Sequence, residues 1–346
     1  MTVKQVYFKI VVKLIFYPPI MSNIGDLMRR GYMYALFLLT GILIGICSVY
    51  AYNILSRNEE KNIIRFAVEL NDHSAAFWIA LDKGYFKEYG LNIEYKTFST
   101  GLELAVAMAR GDIDVALACI GPLLVIRSRG APIKLVAMTH LNGYAIVVDK
   151  NIDSVKDLDG KVVSVSGPGS PAWLLLNLMK DKYGLNIETR KMPPFIAVNA
   201  LLSNQVEASS LPEHYVTLAY KMGAHVLIRS QDIWSDMPGS GVSVTEDFLY
   251  KHRDEVINII KALAKAIEFI KNNQIEASRI VAKYLATDPG IMEESMKYLN
   301  YTIKINVSDI EKYVNYLVRY GAIEKPIDIQ TFIDFSIVHE VIDYEK

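Results

Sequence analysis

From residue 63 onward, short β-branched apolar runs alternate with segments of helical length, and such strands are buried by building a sheet covered with helices. IIRFAVEL (63–70) reads as a buried strand, and AAFWIALDKGYF (75–86) reads as a helix stopped near Gly90. LNIEYKTF (91–98) alternates like a strand. STGLELAVAMARGD (99–112) opens on Ser-Thr-Gly with Glu103 in its first turn, a helix-start signature. IDVALACI (113–120) is a further strand ended by Gly121-Pro122, LLVIRSRG (123–130) a helix and APIKLVAMT (131–139) a strand. This β-α-β-α-β-α-β order predicts a parallel sheet, with YAIVVDK (144–150) as a strand crossing out of it.

The pattern then restarts. SVKDLDGKVVSVSG (154–167) predicts a short helix and a strand, and Gly167-Pro168-Gly169-Ser170 leads into a helix with Ser170 as cap and Pro171 in its first turn. LNIETRKM (185–192), VEASSL (206–211) and AHVLIRS (224–230) predict strands separated by helices, and GVSVTEDFL (241–249) leads into a helix-rich tail. The 346 residues suffice for two lobes. The expected division places 62–150 plus 241–346 in lobe 1 and 151–240 in lobe 2, an α/β clamp with a hinge. In open α/β sheets ligands sit beyond the carboxyl ends of the strands, so the loops there are the candidate site.

Residues 31 to 52 carry no charge for 22 residues, long enough to cross a hydrocarbon core of about 30 Å as a helix. Arg29 and Arg30 precede the segment, which predicts a short cytoplasmic N-terminus (1–30), a linker (53–61) and everything beyond about residue 55 outside the cell. A retained single-pass anchor and a cleaved signal, giving a secreted or periplasmic protein, both remain open. Ile46 stands where a lipoprotein site at Cys47 wants a small residue. Met21 is an alternative start, and Tyr17-Pro18-Pro19 would interrupt any helix before it.

Other classes are disfavoured by what the chain contains. A formal net charge of −1 gives no basic field for nucleic acid. Two cysteines, Cys47 and Cys119, build neither a disulfide framework nor a thiolate metal centre, and no two of the six histidines stand at i, i+4. The expectation is a binder with no cofactor, no metal and no catalytic cluster.

Four segments carry a family resemblance. They are WIALDKGYFKEYGLNIE (78–94), ELAVAMARGDIDVALACIGPLLVIRSRGAPIKLVA (103–137), VKDLDGKVVSVSGPGSPAWLLLNLM (155–179) and ALLSNQVEASSLPEHY (200–215). In this order and spacing the chain resembles the NMT1-like, aliphatic-sulfonate-binding group of solute-binding proteins, which serve ABC importers of nitrate, sulfonates, taurine and thiamine precursors. Glu207 in place of the usual Asp, and Pro212-Glu213 in place of Glu-Pro, are departures. The resemblance implies a type II periplasmic-binding-protein fold: two βα lobes with a hinge and a helical C-terminal tail, here preceded by one transmembrane or signal segment. It implies a monomeric binding domain that captures a small anionic solute and hands it to a permease and its ATPase. A pyrimidine-binding protein, a ligand sensor with a partner chain, and an enzyme are the alternatives. The enzyme reading is weakened by the lack of a cysteine-rich motif.

Each candidate loop has a plainer reading beside its functional one. Asn71, His73 and Ser74 follow the first strand and either contact solute or cap a helix. Ser99, Thr100 and Gly101 offer hydroxyls and a helix N-terminus to an anion, or are a simple cap. The resemblance places Cys119 and Gly121 in the cleft, Cys119 as a small packed side chain rather than a nucleophile. Thr139 and His140 end the next strand, and His140 could donate to an anion or serve the hinge. Gly167, Gly169 and Ser170 let backbone approach a ligand at a second helix N-terminus. Glu213 and His214 suit an amino-bearing ligand or form a rim ion pair. The two helix N-termini favour an anionic head group, whereas Asp72 and Glu213 would select an amine.

Overall fold

The computed structural model describes residues 24–57 and 63–344. The expectations about Tyr17, Pro18, Pro19 and Met21, and about the linker beyond Arg57, lie outside them. Two compact units divide at Lys61. The first contains helix α1 (Ile24–Arg57), within which Arg30–Val49 is apolar and long enough to cross a membrane.

The second unit contains two sheets. Sheet one holds β1 (Ile63–Glu69), β2 (Asn92–Phe98), β3 (Val115–Cys119), β4 (Ile133–Asn142), β10 (Pro238–Thr245) and β11 (Leu299–Tyr301), in the order β11-β4-β10-β3-β1-β2. Sheet two holds β5 (Tyr144–Val148), β6 (Val162–Val165), β7 (Glu188–Lys191), β8 (Ala208–Pro212) and β9 (His225–Arg229), in the order β7-β6-β8-β5-β9. The expected alternation is present: α2 (Ala75–Asp82) and α3 (Tyr85–Glu88), α4 (Gly101–Ala109) and α5 (Ile120–Ser128) connect the first set of strands. In the second set α6 (Pro171–Tyr183), α7 (Pro194–Leu202) and α8 (Glu213–Lys221) do the same.

The structure corrects two expectations. Residues 144–148 belong to the second sheet rather than to the first lobe, because the chain changes sheets at Asn142-Gly143, where φ turns positive at both residues (61° and 84°). Neither sheet is purely parallel: β10 runs antiparallel between β3 and β4, and β5 runs antiparallel between β8 and β9. Each sheet therefore receives a reversed strand at a chain crossing. The strand β11, inside the tail expected to be helical, pairs with β4 across Leu299 to Tyr301.

The tail comprises α9 (Glu246–Lys251), α10 (Arg253–Asn272), α11 (Gln274–Leu285), α12 (Pro289–Ser295), α13 (Val307–Arg319), α14 (Ile329–Phe332) and α15 (Phe335–Tyr344). Val256, Ile259, Ile260, Leu263, Ile267 and Ile270 put the apolar face of α10 into the core of sheet one with Phe66, Phe77 and Trp78. The tail also reaches the second lobe: Tyr320 Oη donates to Asp181 of α6 (2.6 Å), and Trp234 Nε1 donates to Asp309 of α13 (3.2 Å).

Asn142 ties the two crossings together. Its N–H donates to Met237 O (2.7 Å), its Nδ2 to Ser235 O (2.7 Å), and its Oδ1 accepts from Ser230 Oγ (3.3 Å). Asn142→Ala removes the side-chain bonds and leaves a β-carbon at positive φ without local compensation. It should cost about 2–4 kcal/mol in chemical denaturation. Asn142→Gly relieves the backbone and should cost measurably less.

Candidate functional site

The carboxyl ends of β1, β3 and β8 and the amino end of the reversed strand β5 meet the N-termini of α4 and α6 around a cavity of about 20 Å³, scarcely more than a water molecule needs. The lobes touch directly here. A β-carbon on Gly121 would strike the carbonyl oxygen of Gly169 across the cleft, and would lie 2.6 Å from Tyr313 Oη. A β-carbon on Gly169 would lie 2.7 Å from Val125. Absent side chains at these glycines are what let the lobes close.

Of the candidate residues, Asn71, Ser99, Thr100, Gly101, Cys119 and Ser170 line the cavity. Asn71 also caps the 3-10 turn at Asp72–Ser74 by accepting from His73 N. Thr100 Oγ1 accepts from Glu103 N (3.3 Å) and Ser170 Oγ from Trp173 N (3.2 Å), so both capping expectations hold. Gly121, Gly167 and Gly169 form the closing contact, with Gly167 against Leu102 of the opposite lobe and Lys191.

His73, Ser74, Thr139, His140, Glu213 and His214 do not line the cavity; all six are buried. Thr139 Oγ1 donates to Ser240 O (3.1 Å), pinning β4 to β10. His73 and His140 rings pack 4.4 Å apart, and His214 stacks on Tyr215. Burial pushes His140 and His214 down to about 4 and His73 well below its usual value, so all three are neutral. Asp72 and Glu213 lie with them. Burial raises Asp72 to about 7 and Glu213 to about 8, although Arg229 Nη2 donates to Glu213 Oε1 (3.2 Å) and offsets part of the rise. Glu213 N–H also donates to the hinge carbonyl of Gly143 (2.8 Å).

Two residues at the site were missed by the sequence reading. Glu69, the last residue of β1, is buried and lines the cavity; its Oε1 accepts from Cys119 N (2.6 Å), and Asn71 Nδ2 lies 3.4 Å from its Oε2. The carboxyl also packs against Gly101, where an added β-carbon would lie 2.7 Å from Oε1, and burial raises its pKa. Tyr144 is the second. Its hydroxyl lies 3.0 Å from Cys119 Sγ and 3.1 Å from His73 Nδ1, and His73 Nε2 lies 2.9 Å from Gly143 O. A carbonyl only accepts, so Nε2 carries the proton and Nδ1 accepts from Tyr144, whose oxygen is left to accept from the thiol. The chain of donors thus runs from the cleft to the hinge. Its only sequence signal is the position of an otherwise apolar strand's single hydroxyl at the crossing.

Residues 57–286 match the NMT1-like family. The chain belongs to that family. A Bacillus subtilis (strain 168) protein provisionally named as an aliphatic sulfonates-binding protein is 25% identical over 302 residues, covering 82% of this chain and 90% of that one. The taurine-binding periplasmic protein of Escherichia coli (strain K12) is 27% identical over 192 residues, covering 54% and 58%. Among solved structures, the periplasmic nitrate-binding protein NrtA from Synechocystis PCC 6803 superposes with a TM-score of 0.74 at 14% identity, covering 82% of this chain and 89% of its own. The aliphatic sulphonate binding protein SsuA from Escherichia coli gives 0.68 at 19%, covering 79% and 92%. The fold is therefore that of the periplasmic binding proteins, as the four sequence segments implied. The relatives are named as binding proteins, in keeping with a solute-binding role.

Two outcomes follow from this geometry. Burial drives the Cys119 thiol well above its ordinary pKa, so maleimide should label it slowly in a Cys47→Ser background. Gly121→Val, which cannot close on Gly169, should raise that labelling rate about tenfold or more. The second outcome concerns pH. Asp72 and Glu213 hold protons more tightly when folded, so their stabilisation is complete at low pH and is lost as pH rises through about 7 to 8. The three histidines act oppositely: their contribution is present above about 6.5 and is lost as pH falls toward 4. The melting temperature should peak near about pH 6.5, and Asp72→Asn should flatten the alkaline side of the profile.

Proposed function

We propose that this protein is the solute-binding component of an ABC importer. Its binding domain lies outside the cell, and its two lobes close on a small polar solute of the sulfonate, taurine or nitrate kind, which it delivers to a permease driven by an ATPase. The observation that carries the reading is the pairing of two sheets, joined by two crossings tied at Asn142, around a cavity at the strand ends. Such a hinge gives a solute a way to favour the closed arrangement, because only the closed form lets it touch both lobes at once. The family to which the chain belongs, and the binding names its relatives bear, support the same role. In this reading α1 is the membrane attachment, or the signal that directs export, and its charge-free stretch of membrane length supports either.

The test is calorimetry and thermal melting of the purified full chain in detergent against taurine, an alkanesulfonate, nitrate and an aminopyrimidine. At a hundredfold excess over Kd a true solute should stabilise the chain by about 2.7 kcal/mol, with one molecule bound per chain. Absence of any saturable heat or melting shift across the panel would remove the basis for the reading.

A further inference from the structure

The two helix N-termini that open on the cleft are already largely compensated by the chain itself. At α4, the Glu69 carboxyl packs against Gly101, the first residue of the helix, and Glu103 N–H donates to Thr100 Oγ1. At α6, Pro171 has no N–H and Trp173 N–H donates to Ser170 Oγ. The partial positive charge that would attract an anion is met at α4 by a buried carboxylate of the protein. Among the residues that line the cavity, Glu69 is the only acid, and no lysine, arginine or histidine is present. An anionic group placed against this lobe would face an acid that, once ionised, is a like charge with no cation beside it to offset it.

The hydrogen bonds that reach the Glu69 carboxyl, from Cys119 N–H and Asn71 Nδ2, come from uncharged donors. Glu69 is 3% exposed and borders the cavity, so a cation can reach it only from within the cleft. A buried carboxylate with no cationic partner is costly, and an entering ammonium supplies the missing partner. Ser166 and Ser170 on the opposite lobe line the cavity without charge and serve the other end of a small solute.

We infer that the solute presents a protonated amino group, or an equivalent cationic N–H donor, to Glu69, so that the cleft selects amino-bearing solutes over their amine-free counterparts. This rests on the solute-binding reading above and narrows it: plain anions such as nitrate are the poorer ligands, and a zwitterion with an amino end is the better one.

Matched pairs test the inference. The full chain in detergent is titrated with taurine against 2-hydroxyethanesulfonate, with β-alanine against propionate, and with nitrate alone. Wild type should bind the amino member of at least one pair tenfold or more tighter than its partner. Glu69→Gln, nearly the same shape and still able to accept from Cys119 N–H, should erase that gap and leave the amine-free member bound as well or better. Equal or tighter wild-type binding of the amine-free members or of nitrate overturns the inference while leaving the solute-binding reading intact. So does a Glu69→Gln protein that melts lower but keeps the full preference, since Glu69 would then be only a brace for α4 and β3. Failure of wild type to bind any of the five overturns both. Should Glu69→Gln not fold, Glu69→Asp retains the charge while withdrawing it from the cavity, and the preference should narrow; an unchanged preference counts against the inference.

Discussion

Everything that makes this molecule a clamp depends on how the chain passes between its two sheets. It does so at Asn142-Gly143 and again between β9 and β10, and Asn142 bonds the first passage to the second through Met237, Ser235 and Ser230. Two strands of opposite sheets, β4 and β5, are thereby made nearly continuous, with a single sharp break at two residues of positive φ. A glycine is required at the second of these. A β-carbon on Gly143 would crowd both Leu299 and the His73 ring, so the same position that bends the chain also admits the histidine. Hinge motion confined to a few such residues lets each sheet keep its own hydrogen bonds while the lobes change separation.

The polar groups behind the cleft follow from that arrangement. Bringing the strand ends of two lobes together buries Glu69, Asp72, Glu213 and three histidines in one region. The chain handles this by keeping the histidines neutral, by giving Glu213 to Arg229, and by linking Cys119, Tyr144, His73 and Gly143 in one donor sequence. Both bonds of Tyr144 join β5 of one lobe to residues of the other. Opening the cleft must therefore break or lengthen them, which connects what happens at Cys119 to the geometry at Gly143. Glu69 and Asp72 remain without a cation, and of the two only Glu69 lines the cavity. Two like charges about 4 Å apart at an effective dielectric near 20 repel by about 4 kcal/mol, more than one good hydrogen bond returns, so the sign of the solute's nearest group matters more than the count of its contacts.

Much of this was legible before any coordinates. The βα alternation, the caps at Thr100 and Ser170, and the glycines at 167 and 169 as places of close backbone approach could be read from residue type and spacing, whereas Gly121 was placed in the cleft only by the family resemblance. Strand direction could not. YAIVV and GVSVT are as apolar as the parallel strands beside them, and a reversed strand in a covered sheet buries the same pattern as a parallel one. Sheet membership of 144–148 was lost for the same reason. Glu69 was hidden because it ends a run of buried β-branched residues, where an acid reads as the start of a loop. Whether it points into the cleft depends on the pairing of β1 with β3, a non-local fact. His73, His140, Glu213 and His214 were recognised as special residues near strand ends, but one or two residues of register put them on the hinge side of the wall instead of in the cavity.

The tail contributes to closure from the side away from the hinge. Tyr320 and Arg319 of α13 both reach Asp181 on α6, and Tyr320 meets Trp173 edge-on, so a helix following the second crossing grips the first helix of the opposite lobe. Arg319 and Asp181 are substantially exposed, and exposed ion pairs are worth at most about 1 kcal/mol. Contacts of that size bias the lobes toward closure without locking them, which suits a protein that must release what it holds. The larger decision is left to the interior, where Gly121 and Gly169 touch and the cavity at the strand ends has room for little more than a water molecule. Any solute larger than that must hold the lobes slightly further apart than they stand here, exchanging the glycine contact for its own bonds to Glu69 on one side and the serine-lined wall on the other.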